Sequence, residues 1–240
     1  MILTEQKYNE YINFRQCLDR GKNSRVYPHS TNKVLKLWNP DLTLKTLEFY
    51  QTNAANLVGM NTNLFYCPTE LIYKNNQIVG YIMKYFQGLE LKDIPDQTNL
   101  KFLINAMANL EKELAYISAK HILLDDTNEE NIMYNQKDNI GTLIVTDCDT
   151  WQLNAYMSIE KILQNNYQLI NDTLIYKILR SIKEVINYIY YNQALRIRLE
   201  KIECGLSTEM ATFFQDVIKT LENYTNKNIN TYSDLKYVLK

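Results

Sequence analysis

The pattern of apolar and polar positions divides the chain into a strand-rich first part and a helix-rich second part. Residues 33–38 alternate as a strand, and the β-prone runs of residues 70–73 and 78–85 flank the polar turn of residues 74–77. Alternation with period two between turn signals is typical of β-strands and hairpins. We therefore predict mostly strands in residues 16–85, preceded by a helix at residues 5–15 and interrupted by a helix at residues 42–51.

Beyond residue 99, apolar residues recur mainly at helical spacing. Such a stripe indicates an amphipathic helix, because one face of the helix packs against the core. The longest run, residues 174–189, predicts a helix of about five turns, and Asp172 or Thr173 is the candidate N-cap. The other predicted helices cover residues 100–117, 207–221 and 232–239.

Composition and charge narrow the class of protein. The chain has 240 residues and a net charge of −1, so it can bury a core and has no general attraction for nucleic acids or anionic membranes. No apolar run approaches the ~20 residues of a membrane-spanning helix, and no signal peptide is visible. The four cysteines lack paired spacing, which suits a reducing interior. We expect a cytoplasmic protein, and export into another cell without a cleaved leader stays open.

An acidic loop carries the candidate chemistry. Asp126 and Asn131 are five residues apart, and Asp147 follows sixteen residues later, after an apolar run. Residues 135–141 are a polar turn between two β-prone runs, so a hairpin would bring Asn131 and Asp147 together. Carboxylate and amide oxygens suit Mg²⁺, and phosphoryl transfer needs such ligands and a group that orients the attacking hydroxyl. Ordinary acidic and amide residues in a polar loop are the alternative.

The same residues carry a resemblance to a known family. Residues 121–126 followed by Asn131, and then the triplet of residues 147–149, resemble the catalytic loop and the metal-binding triplet of the protein kinase-like superfamily. The resemblance implies that Asp126 is the catalytic residue. It also implies that Asn131 and Asp147 hold Mg²⁺ beside ATP.

The first part of the chain resembles the small lobe of that superfamily. Gly21 opens a turn that leads into a strand with Val26, and Lys36 lies in the following strand. The resemblance implies that Gly21 and Val26 cover ATP and that Lys36 holds its α- and β-phosphates. Glu48 is the only acid in residues 43–69, which makes it the candidate partner of Lys36. An exposed helix glutamate is the alternative.

Residues 70–85 predict a hairpin that resembles the strands leading to the hinge of the kinase-like fold. The resemblance implies that Met83 lines the adenine pocket and that Tyr85 lies in the hinge. We predict an α+β, two-lobed protein kinase-like fold, with an antiparallel sheet and one main helix in the N-lobe, residues 1–85. The predicted C-lobe, residues 86–240, is mostly helical.

Several departures from the family pattern affect the predicted function. Asp125 replaces the usual arginine, and Asp149 replaces the usual glycine, either as a second metal ligand or as a cap. No proline follows Pro95, so the Ala-Pro-Glu segment that grips peptide substrates is short or absent. The prediction is an ATP-dependent kinase of a small, minimal bacterial or viral type. Its acceptor is a protein Ser/Thr, slightly favoured, or a small molecule such as a sugar or aminoglycoside; a catalytically inactive binding module is the other alternative.

Overall fold

The structure, a computed structural model, describes residues 1–60, 62–153 and 156–240. The chain forms two compact units. The first consists of Met1–Gln87 with Thr146–Leu153, and the second of Gly88–Val145 with Asn154–Lys240. The division into lobes between residues 85 and 86 stays a prediction.

The helices and strands follow in chain order. The strands are β1 (Asp19–Arg20), β2 (Ser24–Ser30), β3 (Lys33–Trp38), β4 (Glu70–Lys74), β5 (Gln77–Lys84), β6 (Leu89–Glu90), β7 (Ile122–Leu123), β8 (Ile132–Lys137), β9 (Ile140–Val145) and β10 (Gln152–Leu153). The helices are α1 (Glu5–Phe14), α2 (Leu44–Leu57), α3 (Leu100–Ala119), α4 (Ile159–Ile175), α5 (Lys183–Tyr191), α6 (Gln193–Glu203), α7 (Met210–Thr225) and α8 (Tyr232–Tyr237). Short 3₁₀ turns cover Leu91–Asp93 and Cys148–Thr150, and a π-helical turn covers Tyr176–Arg180.

The first unit contains an antiparallel five-stranded sheet in the order β1-β2-β3-β5-β4. Leu35 and Leu37 of β3 point to one face, where they join a buried apolar cluster that includes α1. Because side chains alternate along a strand, Lys36 lies on the opposite face. The predicted leading helix, the strand around Lys36 and the hairpin of β4 and β5 are confirmed.

The second unit contains a three-stranded sheet in the order β6-β8-β9. Strands β8 and β9 form the predicted hairpin, in which Ile132 is paired with Val145 and Lys137 with Ile140. Asp138 and Asn139 make its two-residue turn, and both have left-handed backbone angles, with φ of 51° and 63°. Such angles suit tight hairpin turns, and Asp and Asn tolerate them better than most residues. The hairpin predicted from the polar turn is therefore confirmed.

The predicted helix over residues 174–189 is wrong. Helix α4 ends at Ile175, the π-helical turn follows, and α5 begins at Lys183. Asp172 and Thr173 lie inside α4, whose N-cap is Ser158. Most apolar residues of the run are buried as expected, but the end of α4, the π-helical turn and α5 present them in place of one helix. Burial periodicity alone does not show where the backbone breaks.

None of the helices within the described ranges has the length and apolar character needed to cross a membrane.

Candidate functional site

Lys36 is the centre of a charge cluster in the first unit. Strand β3 directs its buried side chain away from the face of Leu35 and Leu37. The Lys36 Nζ atom lies 2.5 Å from Asp147 Oδ1 and 2.8 Å from Asp149 Oδ2. The fold thus brings the ammonium group of Lys36 together with two carboxylates that follow it by more than a hundred residues in the sequence.

Asp149 is the more deeply buried of the two acids, with an exposed fraction of 4%. Its Oδ2 atom also accepts a hydrogen bond of 3.2 Å from Trp38 Nε1. Its Oδ1 atom is buried and has no hydrogen-bond partner within the described parts of the chain. The Asp149 carboxylate is therefore held in place on one side and has an unused acceptor on the other.

Helix α2 holds the turn that carries Asp149. Asn53 is buried on this helix, and its Nδ2 atom donates hydrogen bonds of 2.9 and 2.8 Å to the backbone carbonyls of Asp149 and Trp151. Buried backbone carbonyls need such partners, so Asn53 fixes the backbone of the turn. Helix α2 therefore supports the cluster through the Asn53 amide, which binds the backbone on both sides of the turn.

The charges of the cluster influence one another. Burial alone would lower the pKa of Lys36, but the two carboxylates outweigh burial and raise it. For Asp147, burial acts to raise the pKa, but the ammonium group of Lys36 lowers it overall. For Asp149, burial raises the pKa, and Lys36 offsets this effect only in part. One ammonium group thus lies beside two carboxylates, which leaves an excess of negative charge, and an added cation would be stabilised here.

Asp147 has an unusual backbone conformation. Its φ of 59° is left-handed, and the 3₁₀ turn Cys148–Thr150 begins immediately after it. Its side chain is 39% exposed, in contrast to its partner Lys36. Residues other than glycine adopt left-handed angles only occasionally, Asp and Asn more readily than most, and such residues are often found at functional sites. The accessible carboxylate and its constrained backbone make Asp147 a candidate ligand for a bound group.

Glu48 lies on α2, and its side chain is exposed. Among the described residues, the ion pairs of Lys36 are those with Asp147 and Asp149, and no pair with Glu48 is seen. Asp147 and Asp149 are thus the ion-pair partners of Lys36, a role for which the sequence offered Glu48. A role of Glu48 in cofactor binding stays a prediction.

The other predicted nucleotide contacts lie in or beside the same sheet. Val26 is the register partner of Lys36 across β2 and β3. Gly21 donates its backbone N–H to the carbonyl of Ser24. Met83 is buried in β5, and Tyr85 follows this strand with its ring exposed. Their contacts with a nucleotide stay predictions.

The loop of Asp126 in the second unit is held by its own side chains. The Nδ2 atom of Asn131 donates a hydrogen bond of 2.6 Å to the Asp126 carbonyl. Asn128 Oδ1 accepts from the backbone N–H of Glu130 at 2.8 Å, and Asp126 has a left-handed φ of 50°. The structure therefore brings Asp126 and Asn131 together, and the Asp126 side chain is exposed.

Asn166 of α4 supports the chain segment before this loop. Its Oδ1 atom accepts from Leu124 N at 2.8 Å, and its Nδ2 atom donates to Ile122 O and to Ser118 Oγ, each at 2.9 Å. Sequence analysis missed this residue. The one available signal was an amide on the apolar face of a helix, since a buried polar side chain needs partners.

The comparisons with known proteins give a match by structure. No family model and no curated protein matches the sequence. Among solved structures, the chain is similar to a double mutant of the PknI kinase domain of Mycobacterium tuberculosis. The TM-score is 0.50 with 13% sequence identity, and the match covers 68% of this chain and 70% of that one. At this identity the similarity shows the fold: the chain has an α+β protein kinase-like fold, and the predicted fold class is confirmed.

Proposed function

We propose that the protein is an ATP-dependent phosphotransferase that moves the γ-phosphate of ATP to a hydroxyl acceptor. The observation that carries this proposal is the buried Lys36, held at 2.5 and 2.8 Å by Asp147 and Asp149, in a chain with a kinase-like fold. A buried ammonium group with fixed partners is prepared to bind phosphate oxygens. In this proposal Lys36 holds the α- and β-phosphates.

The residues present fit Mg²⁺ bound together with ATP. Within the first unit, Asp147 offers an accessible carboxylate, and Asp149 Oδ1 is a buried oxygen to which no described residue donates a hydrogen bond. Asn131 stays the further ligand that the resemblance implies. No group of three His, Cys, Asp or Glu side chains within the described ranges could hold a metal. Mg²⁺ commonly uses one or two protein ligands with phosphate and water, so a small set of this kind is sufficient. When bound, Mg²⁺ would neutralise charge on the phosphates.

The remaining roles belong to the protein. Asp126 would orient the acceptor hydroxyl and accept its proton. Asp149 would act as a positioning residue, because it holds Lys36 with the help of Trp38 and Asn53. Most of the rate enhancement would then come from positioning and charge stabilisation.

The acceptor is the open part of the proposed function. The order of elements around Lys36 favours a protein Ser/Thr, whereas the missing Ala-Pro-Glu segment favours a small molecule and a reduced, minimal form of the fold, of bacterial or viral type. A catalytically inactive module is the competing proposal, supported by the loss of glycines around residues 21 and 149. The combination of Lys36, Asp126, Asn131 and Asp147 argues for activity, since a binding module does not require all of these groups.

The test is the ATP turnover of the Asp147→Asn variant with Mg²⁺. Loss of the charged ligand should lower the turnover by about a hundredfold or more, because metal-ion stabilisation of the transition state is worth several kcal/mol. Asp138→Asn is the matched control, since it removes one charge from a left-handed turn position that asparagine tolerates. Wild-type turnover in Asp147→Asn would refute the assignment, and absence of turnover in the wild-type protein would favour the inactive module.

A further inference from the structure

The turn that joins β1 to β2 is bound by a residue that lies outside it. This segment, residues 21–23, is called the β1–β2 turn below. Asn39 directly follows β3, and its Nδ2 atom donates hydrogen bonds of 2.8 Å to the Lys22 carbonyl and of 3.4 Å to the Gly21 carbonyl. Its backbone N–H donates to the Asn23 carbonyl at 2.8 Å. One residue thus binds all three carbonyls of the turn.

The side-chain amide of Asn39 has its orientation set by these bonds. Its Oδ1 atom is buried and has no hydrogen-bond partner within the described parts of the chain. The reverse orientation would place this oxygen against two carbonyl oxygens, none of which can donate a hydrogen bond. The donor Nδ2 therefore faces the turn, and an oxygen in its place would repel the turn.

Gly21 does not supply the conformation of the β1–β2 turn. Its φ lies outside the left-handed range in which glycine is favoured. A Cβ atom at this position would lie 3.6 Å from the carbonyl oxygen of Ser24, which is an ordinary van der Waals contact. A larger residue would therefore fit here, and the bonds from Asn39 are what fixes the turn.

Helix α2 also binds the β1–β2 turn. The Nδ2 atom of Asn23 donates a hydrogen bond of 3.0 Å to the hydroxyl of Tyr50, a buried residue of α2. Asn53, which binds the backbone around Asp149, follows Tyr50 by three positions, so the two side chains share one face of the helix. The β1–β2 turn and the turn of Asp149 are therefore attached to the same helical face.

We propose that Asn39 is a positioning residue that holds the β1–β2 turn as a fixed wall beside the phosphates of ATP, and that the turn does not need glycine at position 21. This inference rests on the proposed phosphotransferase function, in which the turn covers ATP. A turn that moves freely must be ordered when the nucleotide binds, which lowers the affinity. A turn that Asn39 already holds in place avoids this loss.

Trypsin digestion without nucleotide tests the conformational part of the proposal. Trypsin cleaves after lysine, and Asn39 binds the carbonyl of the bond that would be cleaved after Lys22. Proteolysis of this kind follows the population of locally open states. We expect Asn39→Ala and the isosteric Asn39→Asp to raise the rate of this cleavage by about tenfold, because both remove the donor. Mass spectrometry of the fragment of residues 1–22 measures the rate.

Two further variants are the controls for this digestion. Gly21→Ala should be cleaved within about twofold of the wild-type rate, because the added methyl group makes an ordinary contact. Asn76→Asp makes the same change as Asn39→Asp at an exposed, left-handed turn position that aspartate tolerates, and it should have no effect. Cleavage of Gly21→Ala faster than Asn39→Ala, or wild-type rates in both Asn39 variants, would overturn the role of Asn39.

Titration calorimetry with two ligands tests the functional part. ATP with Mg²⁺ carries the phosphates that the turn would cover, and adenosine lacks them. Asn39→Ala should weaken the binding of ATP by about fivefold to tenfold and leave the affinity for adenosine within about twofold of the wild type. Asn76→Asp should keep both affinities. Equal weakening for ATP and adenosine in Asn39→Ala would indicate damage to the fold and would overturn the positioning role.

The two experiments separate this inference from the proposed function. ATP binding by the wild-type protein with Mg²⁺, combined with unchanged ATP affinity in Asn39→Ala, would refute the role of Asn39 and leave the phosphotransferase standing. The predicted cleavage pattern without any binding of ATP by the wild-type protein would refute the nucleotide site. Asn39 would then have a structural role alone, and the positioning role would be overturned with the proposed function.

Discussion

At the scale of single residues, the site depends on Lys36, a buried lysine that forms ion pairs with two acids. Lys36 and Asp149 are both almost completely buried, so each is stable as an ion only with the other present. Asp147 is more exposed and would bind an external group at a smaller cost of desolvation. The cluster thus contains one buried acid, Asp149, which holds Lys36, and one more accessible acid, Asp147.

This arrangement predicts the effect of the Lys36→Met variant on stability. Removal of the ammonium group leaves the Asp149 carboxylate buried without compensation, which should lower the free energy of unfolding by about 3 kcal/mol. Adding Asp149→Asn should restore at least half of the loss, because the uncompensated charge is then absent. Urea unfolding of the single and double variants measures both effects. A Lys36→Met variant as stable as the wild-type protein would contradict the buried ion pair.

The sequence predicts some of these residues and not others. Lys36 and Asp147 could be predicted because strand alternation and family spacing mark them. Asn53 and Asn166 are harder to predict, because they bind backbone groups that are distant in the sequence, and the one signal for Asn166 is an amide on the apolar face of a helix. The sequence predicts a metal ligand or a cap for Asp149 and does not show its contact with Lys36, because that contact exists only in the folded chain.

At the scale of elements, the packing of α3 against α7 includes a titratable group, the Glu111 carboxyl. Glu111 of α3 accepts a hydrogen bond of 3.0 Å from the backbone N–H of Ala211, in the first turn of α7. Burial raises the pKa of Glu111 to about 7, although the backbone N–H groups of Ala211 and Met210 act to lower it. The folded protein thus binds the proton of Glu111 more tightly than the unfolded chain does.

This pKa predicts how stability depends on pH. A carboxyl group with a raised pKa stabilises the fold fully below its ordinary pKa, and the contribution is lost as the pH rises to about 7. Glu111→Gln keeps the hydrogen-bond acceptor and removes the titration. From pH 5 to pH 8 the wild-type protein should therefore lose about 1 to 2 kcal/mol relative to the variant, allowing for screening at a half-buried side chain. Parallel stability profiles of the two proteins over this range would contradict the prediction.

Element types could be predicted more reliably than element boundaries. The hairpin of β8 and β9 follows from the Asp-Asn turn between β-prone runs. The break between α4 and α5 could not be predicted, because buried apolar residues continue through it at near-helical spacing. The π-helical turn shifts the phase of the helix, and π-helical turns are frequently found at functional sites.

At the scale of the whole molecule, the sequence predicts the α+β class because strand alternation is concentrated before residue 85 and helical stripes after residue 99. The grouping of residues 146–153 with the strand-rich unit could not be predicted, since it depends on contacts made by a short turn. These eight residues carry Asp147 and Asp149. The proposed function therefore depends on a segment whose place in the first unit the local sequence pattern does not predict.

The central claim is that Asp147 supports the binding of ATP with Mg²⁺, and thermal unfolding with added ATP tests it most directly. A ligand that binds only the folded state stabilises it by about 2.7 kcal/mol at a hundred times its dissociation constant. We predict that ATP raises the melting temperature of the wild-type protein and of Asp138→Asn only with Mg²⁺, and that Asp147→Asn loses this rise. An equal rise without Mg²⁺, no rise in the wild-type protein, or an undiminished rise in Asp147→Asn would contradict the account.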